Sequence, residues 1–217
     1  MFPTTHLSAI AAGPAGFPRI VEAYWKPVYL YLRLQHRRSP EDASDLTQEL
    51  FARAWERESF ASFDPAKGRF RTFLRTLVDR LALNEREAAT RLKRGGGIEH
   101  VSFDFASAET EVAQPREALD PEELFARELV RSLMQQALDD LRTADGERFA
   151  IFEAYELSDD NLSYADLAQR FALPVTTITN RLAAARRELR RFALERLRSI
   201  TTNDEEFRAE SRRIFGS

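Results

Sequence analysis

Apolar residues recur at helical spacing along most of this chain, and one stretch organises the rest: Leu162–Arg191, LSYADLAQRFALPVTTITNRLAAARRELRR. Tyr164, Leu167, Ala168 and Phe171 fall on one face of a helix. Ser163, with Asp166 three residues on, forms a capping box at its start. Ala172, Leu173 and Pro174 interrupt the pattern, because Pro cannot continue a helix but suits the first turn of a new one. In the second helix Val175, Ile178, Leu182, Ala185 and Leu189 are expected to face inward. Thr176, Thr179, Asn180, Ala183 and Arg187 are left facing out. Helix-turn-helix turns often carry Gly, and Ala172 stands there instead. A Cβ held at positive φ costs about 1 kcal/mol, so this turn is predicted to be either mildly strained or differently shaped.

The same periodicity runs through the chain from its start. Met1–Gly16 is rich in Ala, Gly and Pro and is expected to be a loose arm. Phe17–His36 reads as a helix dense in aromatic residues, with Pro27 predicting a kink or a break. Ser39-Pro40-Glu41-Asp42 is a helix start, with a cap, Pro at the first position and acids in the first turn. The helix that follows should bury Leu46, Leu50, Phe51, Ala54 and Trp55. Ser59–Gly68 is a loop whose Phe60 and Phe63 are either exposed or tucked under. Phe70, Phe73, Leu74, Leu77, Val78 and Leu81 then mark the core stripe of a helix decorated by basic residues. Arg91–Gly97 closes this part with basic residues and three glycines. Ile98–Pro121 lacks helical periodicity and reads as an acidic linker ordered only on a partner. Pro121 opens a further helix and Gly146–Glu156 a short one. With the helix-turn-helix they make a four-helix domain, and Asn203–Phe215 is a weakly amphipathic tail that docks on the second domain or frays.

The expected fold is therefore all-α: two small helical domains, at 17–94 and 122–198. An arm at 1–16, an acidic linker at 95–121 and a tail at 199–217, a short helix, complete the chain. At 217 residues the chain is long enough for two small cores. It has no cysteine, hence no disulfide or thiolate metal site, which fits a reducing cytoplasm. No apolar run approaches membrane-spanning length, and the N-terminus has no signal pattern.

Charge changes the picture once it is divided along the chain. The net charge of −3 conceals a basic first part, since residues 1–94 carry 16 basic and 11 acidic side chains. Residues 95–125 carry 1 basic and 8 acidic, and residues 126–160 carry 4 and 9. Residues 161–200 return to 8 basic against 3 acidic. Two basic regions thus flank an acidic middle, and local charge matters more than the total. Seven arginines lie between Arg181 and Arg198 against Glu188 and Glu195 alone. Small hydrogen-bonding side chains early on an exposed helix, followed by arginines, suit a major-groove reader with a phosphate-contacting tail. A helical hairpin with a solvated basic face has the same pattern. Aromatics beside Lys67, Arg69, Arg71, Arg75 and Arg80 suit single-stranded nucleic acid, although a core helix with basic surface residues reads alike. Asp42, Asp45, Gln48 and Glu49 share an exposed helix face that a basic partner helix could use. His6, His36 and His100 are scattered, with no metal-ligand spacing, phosphate loop or nucleophile motif, so no cofactor and no enzyme chemistry is expected.

Three ordered stretches resemble one family. DASDLTQELFARAW resembles the signature of the second region of bacterial RNA polymerase sigma factors. FRTFLRTLVDRLALNERE resembles the promoter-melting and −10-reading helix that follows it, and LSYADLAQRFALPVTTITNRLAAARRELR resembles their −35-reading fourth region. The short chain with a mere linker between these regions is similar to the extracytoplasmic-function group. The resemblance implies a factor that binds core RNA polymerase and directs transcription initiation at promoter DNA. It assigns polymerase binding to Asp42, Asp45, Gln48 and Glu49. It assigns the −10 single strand to Phe60, Phe63, Lys67, Arg69, Arg71, Arg75 and Arg80. The −35 element falls to Thr176, Thr177, Thr179, Asn180, Arg181, Arg186, Arg187 and Arg190, and the acidic linker would thread the basic interior of polymerase.

The departures from the family are also legible. Family members often carry Lys or Arg at Thr179, larger or basic residues at Ala183 and Ala184, and Asp at Asn84. With fewer arginines able to reach guanine, reading would lean on Thr methyl contacts, Asn180 and DNA shape. Ser44 stands where the docking signature is usually acidic, with Thr47 one turn along. Phosphorylation of either would supply the missing charge, and KGRFRTFL and KRGGG look like a subgroup accompanying Ser/Thr kinases rather than membrane anti-sigma factors. An anti-sigma factor or a Ser/Thr kinase are thus the further partners to consider. The competing readings are a helix-turn-helix regulator working without polymerase, and a helical adaptor or kinase substrate with no nucleic-acid role.

Overall fold

Helix caps and prolines set where each element begins. The computed structural model describes residues 13–56, 59–87, 103–112 and 120–216; among these are nine α-helices and no strand, the expected all-α fold. They are α1 (Phe17–Leu34), α2 (Pro40–Glu56), α3 (Phe70–Glu87), α4 (Phe105–Val112), α5 (Pro121–Ala144), α6 (Gly146–Phe152), α7 (Tyr164–Arg170), α8 (Val175–Ile200) and α9 (Asp204–Phe215). The arm expected at 1–16 lies outside the described residues as far as residue 12, as does the Arg91–Gly97 stop. Among the described residues no helix is long and apolar enough to cross a membrane.

The chain forms two compact units, residues 1–132 with 197–217, and residues 133–196. The division falls inside α5 and α8, not at the linker and the start of the tail where composition changes. A long helix carries its apolar stripe past any compositional boundary, so its two ends can serve different cores.

The first unit is built on α1, whose Tyr24, Val28, Tyr29, Tyr31 and Leu32 are fully buried. Of the kink or break expected at Pro27, the break is absent, because α1 runs unbroken through it. Pro27 has no N–H for the carbonyl of Ala23, four residues back. Ser132 supplies the missing donor: its hydroxyl donates to that carbonyl at 3.3 Å. α2 begins as its sequence predicts, with the Asp42 amide donating to Ser39 Oγ at 3.1 Å. Leu46, Leu50, Phe51 and Ala54 are buried, but Trp55 is 51% exposed, contrary to expectation. It lies at the margin of the stripe, with its ring centroid 5.0 Å from that of Phe17.

The acidic segment is not wholly irregular. Asp104 caps α4, accepting from the Ser107 amide at 3.0 Å. Phe103 and Phe105 flank the cap and close on Trp25, Tyr29 and Phe51, with centroids 5.0–6.5 Å apart. Glu109 accepts from Tyr29 Oη at 2.6 Å and from Arg33 Nε at 2.8 Å. Tyr29 is consequently pushed up to about 12, by burial first and by this carboxylate second. Periodicity failed to reveal α4 because its fixing contacts are aromatic and ionic pairs with α1, which a hydropathy pattern does not record.

The second unit packs Leu141, Phe149, Ile151 and Phe152 against Leu167, Ile178, Leu182 and Ala185. Burying each of the leucines contributes roughly 1.5–3 kcal/mol. Asp145 caps α6, which continues into a π-helical turn at Glu153–Leu157. Ser163 and Asp166 form the capping box at α7, the Ser163 amide donating to Asp166 at 2.8 Å and the Asp166 amide to Ser163 Oγ at 3.2 Å. Val175, expected inside, is 46% exposed, since it opens α8 beyond the buried stripe.

Between α7 and α8, Ala172 adopts φ +52°, the strained alternative for this turn. The Leu173 amide donates to the Ala168 carbonyl at 3.0 Å across it. Glycine at 172 removes the Cβ penalty, whereas glycine at 168, inside α7, loosens the helix and removes a methyl packed on the core. The variants Ala172→Gly and Ala168→Gly should therefore separate in thermal denaturation by about 1–2 kcal/mol, with Ala172→Gly the more stable. Equal melting temperatures would show that the positive φ is not held.

Candidate functional site

The exposed side of α2 is set by the burial of the other. Ala43, Leu46, Thr47, Leu50 and Phe51 point inward, leaving Asp42, Asp45 and Gln48 exposed and Glu49 half-exposed. Glu49 pairs with Arg53 one turn on. Ser44 sits at the edge of this face, accepting from Gln48 Nε2 at 3.4 Å. Thr47, the second expected phosphorylation site, is fully buried, and its hydroxyl donates to the Ala43 carbonyl at 2.7 Å. A kinase cannot reach it in this fold. The hydropathy pattern missed this because threonine, half apolar, can occupy a core position while bonding to its own helix.

The loop between α2 and α3 is tied down by its aromatics. Phe60 stacks on Phe17 at 5.7 Å and meets Phe70 edge-on at 5.3 Å. Phe63 meets Phe70 edge-on at 5.2 Å and Phe73 at 5.4 Å. Of the two dispositions open to them, both rings are tucked under. Asp64 caps the single turn Pro65–Lys67, and Gly68 follows at φ +144°, a conformation for which only glycine is suited. Lys67 is exposed, 3.5 Å from Asp64 Oδ2.

The arginines of α3 and its approach divide by exposure. Arg80 is exposed, and Arg75 is half-buried between Asp79 at 3.0 Å and Glu122 at 3.1 Å. Arg69 donates to Glu210 at 2.9 Å. Arg71, expected to face a DNA strand, is only 6% exposed. Its Nε donates to Glu122 at 3.0 Å and its Nη1 donates to Glu210. Thr72 adds a hydroxyl to Glu122 at 3.1 Å. Burial disfavours the charge on Glu122, but hydrogen bonds from Arg71 and Thr72 outweigh it and hold the carboxyl below its ordinary value.

In the second unit, α8 presents Thr176, Thr179 and Asn180 exposed and Thr177 half-buried. Thr179 donates its hydroxyl to the Val175 carbonyl at 3.0 Å, which leaves its methyl as the outward contact. Arg181 pairs with Glu147 at 2.5 Å. Arg186 donates from Nε to Glu156 at 2.8 Å and lies 5.8 Å from the Tyr155 ring. Arg187 and Arg190 are exposed. Among the described residues no group of three or more His, Cys, Asp or Glu could hold a metal ion.

The carboxylates that occupy these arginines were not singled out from the sequence: Glu122, Glu210, Glu147 and Glu156. Only the alternation of basic and acidic segments hinted at them. Which acid meets which arginine depends on helix packing.

Residues 20–92 match the family model described as Sigma-70 region 2, a match that spans α1 to α3 and the loop between them. The match supports a member of the sigma-70 family and, with it, interaction with RNA polymerase and promoter DNA. No curated protein and no solved structure matches the chain.

The depressed carboxyl of Glu122 sets a pH dependence. Its folded value lies below its ordinary 4.5, so the stability it contributes is present above that value and is lost as pH falls below it. Thermal midpoints of the wild type and Glu122→Gln should differ at neutral pH and converge as the pH falls through the lowered value of the folded carboxyl. A constant difference across that range would show that the carboxylate charge is not what holds the contact.

Proposed function

We propose that this chain is a sigma factor of the extracytoplasmic-function type, acting in the bacterial cytoplasm and leaving all catalysis to the polymerase. The observation that carries the reading is the match of residues 20–92 to Sigma-70 region 2, with the α2 face of Asp42, Asp45, Gln48 and Glu49 open to a partner. An acidic stripe of this kind steers a basic polymerase coil and sets its register. In this reading the 59–68 loop and α3 engage the −10 element. Extruding a base there costs a few kcal/mol, offset by its pocket and by stacking.

The α7–α8 geometry supports a −35 reader. The capped α7, the four-residue turn Phe171–Pro174 and the exposed start of α8 match what a helix-turn-helix needs to enter a major groove. Asn180 would bond an adenine edge and the methyls of Thr176 and Thr179 would meet thymines, while Arg186, Arg187 and Arg190 grip phosphates. The acidic 95–121 segment would follow the basic interior of polymerase. Ser44, at the edge of the docking face, is the remaining phosphorylation candidate. A phosphate there adds about −1.5 to −2 charges to an acidic stripe, which would make the Ser/Thr kinase that places it the regulator in place of an anti-sigma factor.

Gel filtration with core RNA polymerase followed by transcription from the host's promoters tests the reading. The wild type or Ser44→Glu should co-elute and give specific transcripts, and Asp45→Arg should abolish co-elution without loss of fold. Asn180→Ala should weaken −35 recognition by the holoenzyme by about 1–3 kcal/mol. If neither form binds polymerase while the free protein binds duplex tightly, the chain is a regulator that works without polymerase.

A further inference from the structure

The last helix of the chain is anchored in an unusual way. Amphipathic helices dock through apolar side chains, yet the one buried residue of α9 is Glu210, only 7% exposed. Phe207, Ile214 and Phe215 are merely half-buried. Glu210 accepts from Arg69 and Arg71, and Arg213, one turn on, donates to Glu123 at 2.6 Å. Glu123 adjoins Glu122, which holds the other edge of Arg71 and the Nε of Arg75. Two carboxylates thus occupy three successive guanidiniums at the start of α3, all within the first unit.

Buried ion pairs are poor net stabilisers, because desolvation offsets most of the attraction. They do specify what lies over a surface, and they can be exchanged for another anion of like geometry. A guanidinium that accepts a carboxylate fork accepts a phosphate equally well. A strand of DNA brings several phosphates and releases counterions on binding, which a pair of carboxylates cannot match. The acidic face of α2, by contrast, has no such cover over Asp42, Asp45 and Gln48.

We infer that α9 is an intramolecular cover: Glu210, with Glu122, occupies the phosphate positions of Arg69, Arg71 and Arg75, and a DNA strand must displace it to engage α3. The inference rests on the proposed promoter-melting role of α3 but concerns a contact that needs no polymerase. The free chain then presents its polymerase face open while Arg71 and Arg75 of its single-strand face are taken up, so that these two are released only where DNA is held close.

The test is binding of the full chain to a labelled oligothymidylate, which offers phosphates and bases without a promoter sequence. Glu122→Gln/Glu210→Gln should bind about tenfold more tightly than the wild type and with a steeper salt dependence. Glu41→Gln/Glu205→Gln removes the same two charges from exposed positions of the first unit and should bind as the wild type does. Equal affinity of all three overturns the cover, and so does an equal gain in Glu41→Gln/Glu205→Gln, which would mean that net charge alone acts. Should the double variant fail to fold, hydrogen exchange of the wild type decides: saturating oligothymidylate should deprotect residues 204–215, and unchanged protection overturns the inference. Co-elution with polymerase separates the two claims. Co-elution without the affinity gain removes only the cover, while the gain without co-elution removes the sigma reading and leaves the cover standing.

Discussion

Arg71 cannot give up its charge at any pH a protein meets, and it lies almost wholly inside the first unit between the buried Phe70 and the half-buried Thr72. A guanidinium so placed requires carboxylates, and two distant stretches of chain deliver them. Asp120 caps α5, accepting from the amides of Glu122 and Glu123 at 2.9 and 3.0 Å. That cap puts Glu122 in the first helical turn, where the helix dipole favours an acid. Asn203 caps α9 at 2.8 Å and Gly216 closes it, which sets the helix that carries Glu210. Much of the first unit is thus committed to matching one cation.

The same chemistry recurs along α1. Lys26 pairs with Glu111 and Arg33 with Glu109. Acids of the middle of the chain sit on bases of its first part, as Glu122 sits on Arg71 and Arg75. A polyanionic partner would contest these contacts, and a basic partner would seek the acids instead. The α2 face stands apart, since Asp42, Asp45 and Gln48 are exposed and Glu49 meets only its own helix's Arg53 among the described pairs.

The α7–α8 turn shows local chemistry and tertiary demand in conflict. Ser163 and Asp166 make the cap that their spacing requires. Ala172 nonetheless takes a backbone conformation that favours glycine. The turn holds because Phe171 and Leu173 on either side pack against the core of the second unit. Packing outweighs a local penalty of about 1 kcal/mol.

Most helix positions, the caps, the region 2 stretch and the exposed α2 stripe were determined by the sequence itself. Each depends on residues within a few turns of one another, where periodicity and capping act directly. Tertiary structure alone decided that Thr47 and Arg71 are inside, that Trp55 and Val175 are half out, and that residues 105–112 form a helix. It also decided that Glu122 and Glu210 meet on one arginine. These outcomes come from pairings between remote segments, whose free energy lies in desolvation and ring contacts that no local pattern encodes.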